Sequence, residues 1–473
     1  MSQQKTILKN AFFSSISDVI LNVFTFLFIL YAARSLSVAD FGLLSFATAF
    51  ISLFMFLTDM GLSALSIREM AKDRTKSEEY MKGLLGAKTL LNTSVYVFMI
   101  AVALLLGYDN QKTLMIALLG LSMVFESMRF AFEGLFRSHE SLRYTMEGRV
   151  LNAITLLGSA LILYNLGLGV YAFALAFILG RASTILHALL VCTRDFFTPK
   201  ISFCLKTAKN LLLNSWAFGM TLFFTSIFHW IDQVMIDYFQ DTTAVGYYSV
   251  AYKLILGFHF IPLAFNRAIY PVLSKTAGTE SFKAHGGTFI KYMLVLGLPV
   301  GVGLSMLANP LTTLLFGETY GPSGPVLGVL SYSFILVCFS SPLHRMLEAT
   351  GRQRRVLEAI TAGLILNILL NLILIPRYGY LMAAYTTVAT EAVFFLIPLV
   401  VVVKNRLSPQ IQVKTIFKAV TATILMAAAI KATQNQHVIL TIITAKIVYI
   451  SAILATGLVS KQDLVKISRS QGK

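Results

Sequence analysis

Charged side chains that lie in or at the ends of long apolar stretches are the residues of this sequence best suited to chemistry. A charge at the centre of a bilayer costs roughly 2.5–3.5 kcal/mol on insertion scales, so each such residue is by default a candidate functional site. The cationic candidates, suited to holding an anion, are Lys253, Arg181, Arg34, Arg129 and Lys446. The carboxylates, suited to ion coupling through a bound proton, are Asp18, Asp232 and Glu391.

Several of these candidates have a structural alternative. Lys253 either faces a watery cavity or pairs with a carboxylate that holds helices together. Asp232, near the end of an apolar stretch, either takes part in ion coupling or locks the following turn. Asp18 lies among serines on one helical face, which indicates a cavity wall or helix–helix hydrogen bonds. Arg34 is equally suited to reaching the membrane interface.

Glu126, Arg129 and Glu133 are spaced by three and four residues, so they share one face of a helix. This spacing favours a ladder of internal ion pairs over a free cationic site. Arg181 and Glu391 occupy comparable depths in the two halves of the chain, and either is a candidate for lining a cavity. Lys446 lies midway along the last apolar stretch, where it would meet a headgroup if the final helices flank a groove.

The composition indicates an integral membrane protein. The chain of 473 residues is 56% hydrophobic and 13% charged, with a mean hydropathy of +0.74, whereas soluble domains are about 25% charged. Its apolar stretches are about 20 residues long and do not alternate with polar residues, which predicts helices rather than a β-barrel. The fold class is therefore an all-α membrane protein.

Fourteen apolar segments are predicted to cross the bilayer, and they leave no separate soluble domain. They cover about 11–33, 41–60, 84–107, 113–133, 145–165, 169–191, 211–236, 244–266, 289–308, 324–343, 356–375, 380–403, 415–433 and 437–459. When residues near the ends of the segments, among them Lys88 and Arg149, are counted with the adjoining connections, 31 of the 39 lysines and arginines lie on one side of the membrane and four on the other. Since positive residues concentrate in cytoplasmic loops, we expect a plasma (inner) membrane protein with both termini cytoplasmic. The formal charge of +17 then needs no nucleic acid partner.

Motifs for covalent chemistry and for cofactors are missing from the sequence. Three cysteines give no disulfide framework and no metal-ligand cluster, and seven histidines are scattered without HExxH spacing. The glycine-rich stretch GETYGPSGPVLG lacks the Lys-Ser/Thr ending of a Walker A motif. We therefore expect no enzyme activity, no cofactor and no metal site.

Weak internal similarity predicts a duplication. Ala39 to Ala47 resembles Thr243 to Ala251 at an offset of 204 residues, and Gly167 to Phe173 resembles Gly379 to Tyr385 at an offset of 212. Because segments 1 and 7 both enter from the cytoplasm, the repeat is parallel. The predicted domains are an N-terminal lobe at 1–195, a cytoplasmic linker at 196–209, a C-terminal lobe at 210–406, and two extra helices with a tail at 407–473.

Short motifs in a fixed order give the chain a resemblance to a known family. They are Phe41-Gly42, Thr58-Asp59-Met60-Gly61-Leu62 with Arg68, Ile231-Asp232, Val245-Gly246-Tyr247-Tyr248-Ser249, Ala251-Tyr252-Lys253, Gly351-Arg352-Gln353 and Gly379 to Ala384. With these motifs the chain resembles the oligosaccharide flippase (polysaccharide transporter, Wzx-like) family of the multidrug/oligosaccharidyl-lipid/polysaccharide exporter superfamily. The resemblance spans most of the chain.

The resemblance implies two six-helix lobes around a central cavity and alternating access. The implied substrate is a polyprenyl-diphosphate-linked oligosaccharide that moves from the cytoplasmic to the outer leaflet for surface polysaccharide synthesis, with a polysaccharide polymerase as a further partner. Lys253 would then attract the diphosphate as a point charge. Three alternatives remain open: a lipid II flippase, a multidrug/cation antiporter of the same superfamily, and a membrane scaffold that moves nothing.

Overall fold

The computed structural model describes residues 20–203, 223 and 226–458, and this part of the chain contains helices, turns and no strand. The helices of the first half are α1 (Ile20–Ser35), α2 (Val38–Asp59), α3 (Leu62–Lys72), α4 (Ser77–Leu105), α5 (Asn110–Ser138), α6 (Leu142–Asn165), α7 (Val170–Asp195) and α8 (226–239). Those of the second half are α9 (Thr242–Phe258), α10 (Phe260–Thr276), α11 (Glu280–Met306), α12 (Ala308–Phe316), α13 (Ser323–Ala349), α14 (Gln353–Tyr378), α15 (Leu381–Lys404), α16 (Val413–Ala432) and α17 (Val438–Ala455).

The prediction of an all-α multi-pass membrane protein is confirmed. Within the described ranges, 12 helices are long and apolar enough to cross a membrane, and they coincide with twelve of the predicted segments. The two others, segments 1 and 7, continue into residues that the structure does not describe. The shorter apolar helix α1 belongs to segment 1, and α8 belongs to segment 7. Asp18 lies outside the described residues.

The chain divides into two compact units, Met1–Gly246 and Tyr247–Lys473. In the first unit, a core that includes Leu62, Met81 and Phe132 joins α3, α4 and α5. In the second unit, Met426 of α16 and Tyr449 of α17 pack together with Leu307. The predicted boundary at the 196–209 linker stays a prediction.

The helix ends support the predicted duplication at the level of single residues. Ser37 accepts a hydrogen bond from the Asp40 amide and caps α2. Asp241, 204 positions later, accepts one from the Ala244 amide and caps α9, and such capping satisfies amides that have no partner within the helix. Gly167 and Gly379, 212 positions apart, both adopt positive φ, at 88° and 82°. Equivalent positions of the repeat thus make equivalent turns.

The first turns of α2 and α9 approach each other at two glycines. A Cβ atom built on Gly42 would lie 1.7 Å from the carbonyl oxygen of Thr242. A Cβ atom built on Gly246 would lie 2.4 Å from the carbonyl oxygen of Val38. The contact is reciprocal, because Gly42 and Gly246, like Val38 and Thr242, are 204 positions apart. Only a residue without a side chain permits this backbone-to-backbone packing.

We predict that Gly42→Ala destabilises the protein by about 1–3 kcal/mol, because the added methyl group pushes two backbones apart. Thermal unfolding of the detergent-solubilised protein measures the effect. Gly158→Ala in α6 is the matched control, since nothing lies within 4 Å of its Cβ position, and it should stabilise by about 0.5–1 kcal/mol through helix propensity. Equal melting temperatures for the two variants would contradict the close approach.

Candidate functional site

A cluster of charged side chains lies between α5, α6 and α7 in the first unit. Arg129 of α5 forms ion pairs with Glu126, one turn before it, at 2.5 Å between Nη2 and Oε1, and with Glu133, one turn after it. The predicted ladder along one face of this helix is therefore present. Each pair is partly buried, which strengthens the attraction between the charges relative to water.

Two arginines from neighbouring helices join this ladder. Arg181 of α7 places its Nε 3.5 Å from Glu126 Oε2, and its Nη1 donates to the Ser122 hydroxyl at 2.5 Å. Arg149 of α6 donates from Nε to Glu133 Oε1 at 3.3 Å. The structure thus brings together Arg129 and Arg181, two of the five predicted cationic candidates, and adds Arg149.

The cluster has more arginines than carboxylates. The inner members are Arg129, Arg149 and Arg181 against Glu126 and Glu133, and Arg137, which is 44% exposed, also binds Glu133. The side chains of Arg181 and Arg149 remain 20% and 19% exposed. A guanidinium carries five N–H donors in a rigid fork, so the cluster contains more donors than the two carboxylates can accept. The arrangement is suited to an anion with several acceptor oxygens.

A pocket beside this cluster is lined by Arg129, Glu133, Thr145 and His187. Its volume is about 10 Å³, which is room for a single water molecule. The Thr145 hydroxyl and the His187 Nδ1 are buried there without a hydrogen-bond partner among the described residues, so a bridging water would satisfy both. The pocket is too small for a sugar or a diphosphate, and the exposed edges of the arginines are the better candidates for binding a large headgroup.

The other three cationic candidates lie apart from the cluster. Lys253 is half-buried on α9, next to the parallel rings of Tyr248 and Tyr252 at 5.7 Å between centroids. Arg34 is exposed at the end of α1, and Lys446 is exposed midway along α17. The role of each as a binding residue stays a prediction.

A polar layer lies between α14 and α15 of the second unit, and α15 also contains Glu391. Glu391 is 6% exposed, and within the part of the chain that the structure describes its carboxylate has no hydrogen-bond or ion-pair partner. In the polar layer, the Thr386 hydroxyl donates to Asn371 Oδ1 at 2.5 Å, and Asn371 donates to Asn367 Oδ1 at 3.2 Å. Asn367, Asn371 and Thr390 are fully buried. Side-chain oxygens and a carboxylate in an apolar helix pair are ligands suited to a proton or a hard cation.

Asp232 on α8 is also buried, at 4% exposure. One and a half turns later Asp237 binds the Lys112 ammonium through both carboxylate oxygens at 2.8 Å, which ties α8 to the start of α5. The Lys112 Nζ lies 5.6 Å from the centroid of the Tyr108 ring. Burial, with the nearby Asp237 carboxylate, raises the pKa of the Tyr108 hydroxyl to about 12, so this side chain stays a neutral neighbour of the pair.

A second buried ion pair closes the junction of α2, α4 and α5. Lys88 is fully buried, and its Nζ lies 2.5 Å from Asp59 Oδ1 and 2.9 Å from the Ser127 carbonyl oxygen. Asp59 ends α2, where Met60 and Gly61 adopt positive φ before α3 begins. Asp59 thus has a structural role with Lys88 as its partner, whereas Arg68, from the same sequence motif, is exposed and binds Glu69.

We predict that Lys88→Met lowers the free energy of unfolding by roughly 3–5 kcal/mol, because it leaves a buried carboxylate without its counter-charge. The double variant Lys88→Met/Asp59→Leu should recover most of the loss. Arg143→Ala, which breaks an exposed pair with Glu147, is the control and should change stability by about 0.5 kcal/mol or less. Chemical denaturation in detergent compares the three variants, and a double variant no better than Lys88→Met would refute the pairing argument.

Several site residues were missed by sequence reasoning. Lys88 was counted with the positive residues of a loop, but it lies inside α4 and is buried. Arg149 was counted in the same way and lies inside α6. Asn367 and Asn371, four residues apart in an otherwise apolar segment, carried a signal that could have been used, since such spacing places two amides on one helix face.

Comparison with known families agrees with this architecture. A family model described as polysaccharide biosynthesis protein matches residues 7–277, more than half of the chain. The chain belongs to this family. A second model, MatE, matches residues 217–373, which links the second half to the same wider group of exporters.

Relatives of the polysaccharide biosynthesis protein family cover most of the chain at low identity. The chain is 23% identical to a probable low-salt glycan biosynthesis flippase, Agl15, of Haloferax volcanii, over 80% of this chain and 81% of the relative. It is 21% identical to a putative O-antigen transporter of Shigella dysenteriae, over 76% and 90%. Among solved structures, the lipid II flippase MurJ in an inward closed conformation aligns with a TM-score of 0.74 and 16% identity, covering 97% of this chain and 100% of that chain. The two-lobe transporter fold that the sequence predicted is thus confirmed.

Proposed function

We propose that this protein is a flippase that moves a polyprenyl-diphosphate-linked oligosaccharide from the cytoplasmic to the outer leaflet by alternating access. It acts as a transporter and not as an enzyme, in the plasma membrane, with both termini cytoplasmic and its product passed to a polysaccharide polymerase. The names of the relatives support the substrate class, because they describe glycan flippases and O-antigen transporters. The excess of arginine in the α5–α7 cluster is the observation in this chain that carries the proposal.

The diphosphate is the part of such a substrate that crosses the hydrocarbon core of the membrane least readily. Its charge is strongly disfavoured in hydrocarbon, whereas the isoprenoid tail is not. Arg181 lies near the middle of α7 and Arg149 near the start of α6, so the cluster extends from mid-depth towards one end of the helices. With the proposed orientation that end is cytoplasmic, where the headgroup enters. Arg181 and Arg149 would bind the phosphate oxygens while Glu126 and Glu133 keep the guanidinium groups ordered.

Lys253 is the proposed second contact for the headgroup. It lies twelve residues into α9 and is half-buried beside Tyr252. An ammonium group acts there as a mobile point charge, in contrast to the oriented forks of the arginines. Arg34 and Lys446, both exposed, are proposed as peripheral contacts, at the helix end and along α17 respectively.

The charge of the site helps to distinguish the proposed function from the alternative functions. A multidrug/cation antiporter favours an acidic, aromatic cavity, and the arginine excess argues against it. A lipid II flippase moves the same diphosphate chemistry and differs in the sugar. A scaffold that moves nothing has no need for partly exposed arginines inside apolar helices.

We predict that Arg181→Gln lowers the translocation rate by about tenfold, because a hydrogen bond to a charged group contributes about 1.5–3 kcal/mol. The measurement is transfer of a fluorescent polyprenyl-diphosphate oligosaccharide across proteoliposome membranes. Arg194→Gln, at an exposed position near the end of α7, is the matched control. Undiminished transport by a well-folded Arg181→Gln protein would remove the arginine cluster from the binding site, and transport of lipid II alone by the wild type would replace the proposed substrate.

Ion coupling is proposed to use the buried carboxylates. Glu391 needs a counter-charge or a proton when it is enclosed by apolar helices, and the buried amides and hydroxyls between α14 and α15 show that this helix pair accommodates polar groups. Asp232 and Asp18 are proposed as further members of the coupling machinery. The motif for ATP hydrolysis is missing from the sequence, so an ion gradient or the membrane potential is the proposed driving force.

We predict that Glu391→Gln abolishes the acceleration of flipping by an imposed ion gradient while basal exchange continues, because the amide cannot bind and release a cation. Proteoliposomes with a proton gradient, a sodium gradient or neither provide the comparison. Glu358→Gln on α14, where the carboxylate is exposed, is the control. A full response to the gradient in the Glu391→Gln protein would refute this role for the residue.

A further inference from the structure

Helix α11 contains a proline, Pro299, in its interior. Proline has no amide hydrogen, so the carbonyl group of Val295, four residues earlier, loses the hydrogen bond that a helix would give it. The Tyr449 hydroxyl, on α17, donates to this carbonyl oxygen at 2.6 Å. A side chain of another helix thus replaces the missing backbone donor.

The same arrangement occurs between two other helices of the second unit. Pro398 lies inside α15 and leaves the carbonyl of Phe394 without its helical partner. The His344 ring, on α13, places Nε2 3.0 Å from that oxygen. Because a carbonyl oxygen only accepts hydrogen bonds, the histidine proton is on Nε2. Of the five prolines inside helices of this unit, Pro299 and Pro398 thus have a side-chain donor at the freed carbonyl.

The surroundings of Pro299 make α11 easy to bend and fix one of its faces. Gly297 and Gly301 flank the proline, and glycine weakens a helix interior. Both pack closely on α13: a Cβ atom on Gly297 would lie 2.5 Å from Cys338 Sγ, and one on Gly301 would lie 2.2 Å from Ile335 Cγ1. The segment 297–301 is therefore pressed against α13 on one face, and Tyr449 holds the carbonyl just before it.

We propose that Tyr449 is a positioning residue that couples the C-terminal helix pair α16–α17 to a hinge in α11 at Pro299. Through this hydrogen bond the pair restrains α11 at Pro299, and release of the bond lets the helix bend there. The inference goes beyond the proposed function, because it assigns to the extra helices a mechanical connection to the six-helix lobe that does not depend on which lipid is carried.

Packing around the tyrosine supports a rigid connection. Tyr449 is 8% exposed, and it belongs to a buried cluster with Ala422 and Met426 of α16 and with Leu307, which directly follows α11. The ring is part of α17 and packs against α16, so its hydroxyl cannot readily reach another acceptor. Movement of α17 relative to α11 must therefore stretch this hydrogen bond or bend the hinge.

A double-mutant cycle tests the coupling. Tyr449→Phe removes the hydroxyl and keeps the ring. Pro299→Ala restores an amide at position 299, which can then donate to the Val295 carbonyl within the helix. Hydrogen–deuterium exchange of the peptide 295–305, measured in the full-length protein in lipid nanodiscs, reports the opening of the hinge, and flipping in proteoliposomes reports its functional effect. Tyr332→Phe, at a position on α13 that is 53% exposed, controls for loss of a tyrosine hydroxyl.

With Pro299 present, Tyr449→Phe should speed exchange of this peptide about threefold, the factor that corresponds to the roughly 0.6 kcal/mol measured for interhelical hydrogen bonds in membranes. The flipping rate should change in the same variant. In the Pro299→Ala background, Tyr449→Phe should change neither quantity, and Tyr332→Phe should change neither in either background.

Two results would overturn the proposal. One is exchange and flipping identical to the wild type in Tyr449→Phe. The other is an effect of Tyr449→Phe that persists undiminished beside Pro299→Ala, since the tyrosine would then act through something other than the freed carbonyl. If Tyr449→Phe alone expresses poorly, recovery of expression in the double variant supports the coupling, and failure to recover refutes it.

Discussion

A charge or a backbone polar group inside a bilayer must find a partner within the protein, because no water is there to serve it. The first unit meets this requirement with pairs and ladders. Arg129 lies between two carboxylates on its own helix, and Lys88 is enclosed with Asp59 and the Ser127 carbonyl. Glu391 is a buried carboxylate for which the described part of the chain supplies no such partner, and a proton or a cation is therefore proposed to complete this site.

The requirement applies to the backbone as strongly as to charges. Prolines in α11 and α15 free one carbonyl each, and in both helices a side chain from another helix supplies the donor. At these two sites the neighbouring helix, and not the proline-containing helix alone, satisfies the freed carbonyl.

The sequence predicts the elements well because hydrophobic length and loop charge are local properties. Twelve of its segments appear as long helices, and the turn at Gly167 recurs at Gly379 with the same sign of φ. The spacing of Glu126, Arg129 and Glu133 gave their pairing, since one helix contains all three.

Contacts between helices, in contrast, are not predicted by these local properties. Lys88 is 29 residues from Asp59, and Tyr449 is 154 residues from Val295. The residue pattern of one segment does not predict which residue of a distant segment it contacts. A lysine near the predicted end of an apolar stretch has the same sequence context whether it faces water or a buried carboxylate. For that reason Lys88 was assigned to a loop, and Arg149 was missed as a member of the arginine cluster.

The reciprocal contact between Gly42 and Gly246 has an evolutionary consequence. A contact in which each copy presents the same patch to the other is the interface of a two-fold homodimer. Here both copies of that patch lie in one polypeptide, as expected if the gene for a self-associating six-helix ancestor was duplicated and fused. In that ancestor a single substitution at the glycine would have placed two side chains in the interface at once. Within one polypeptide the two glycines can be substituted separately, so Gly42→Ala and Gly246→Ala would each place a single side chain in the contact.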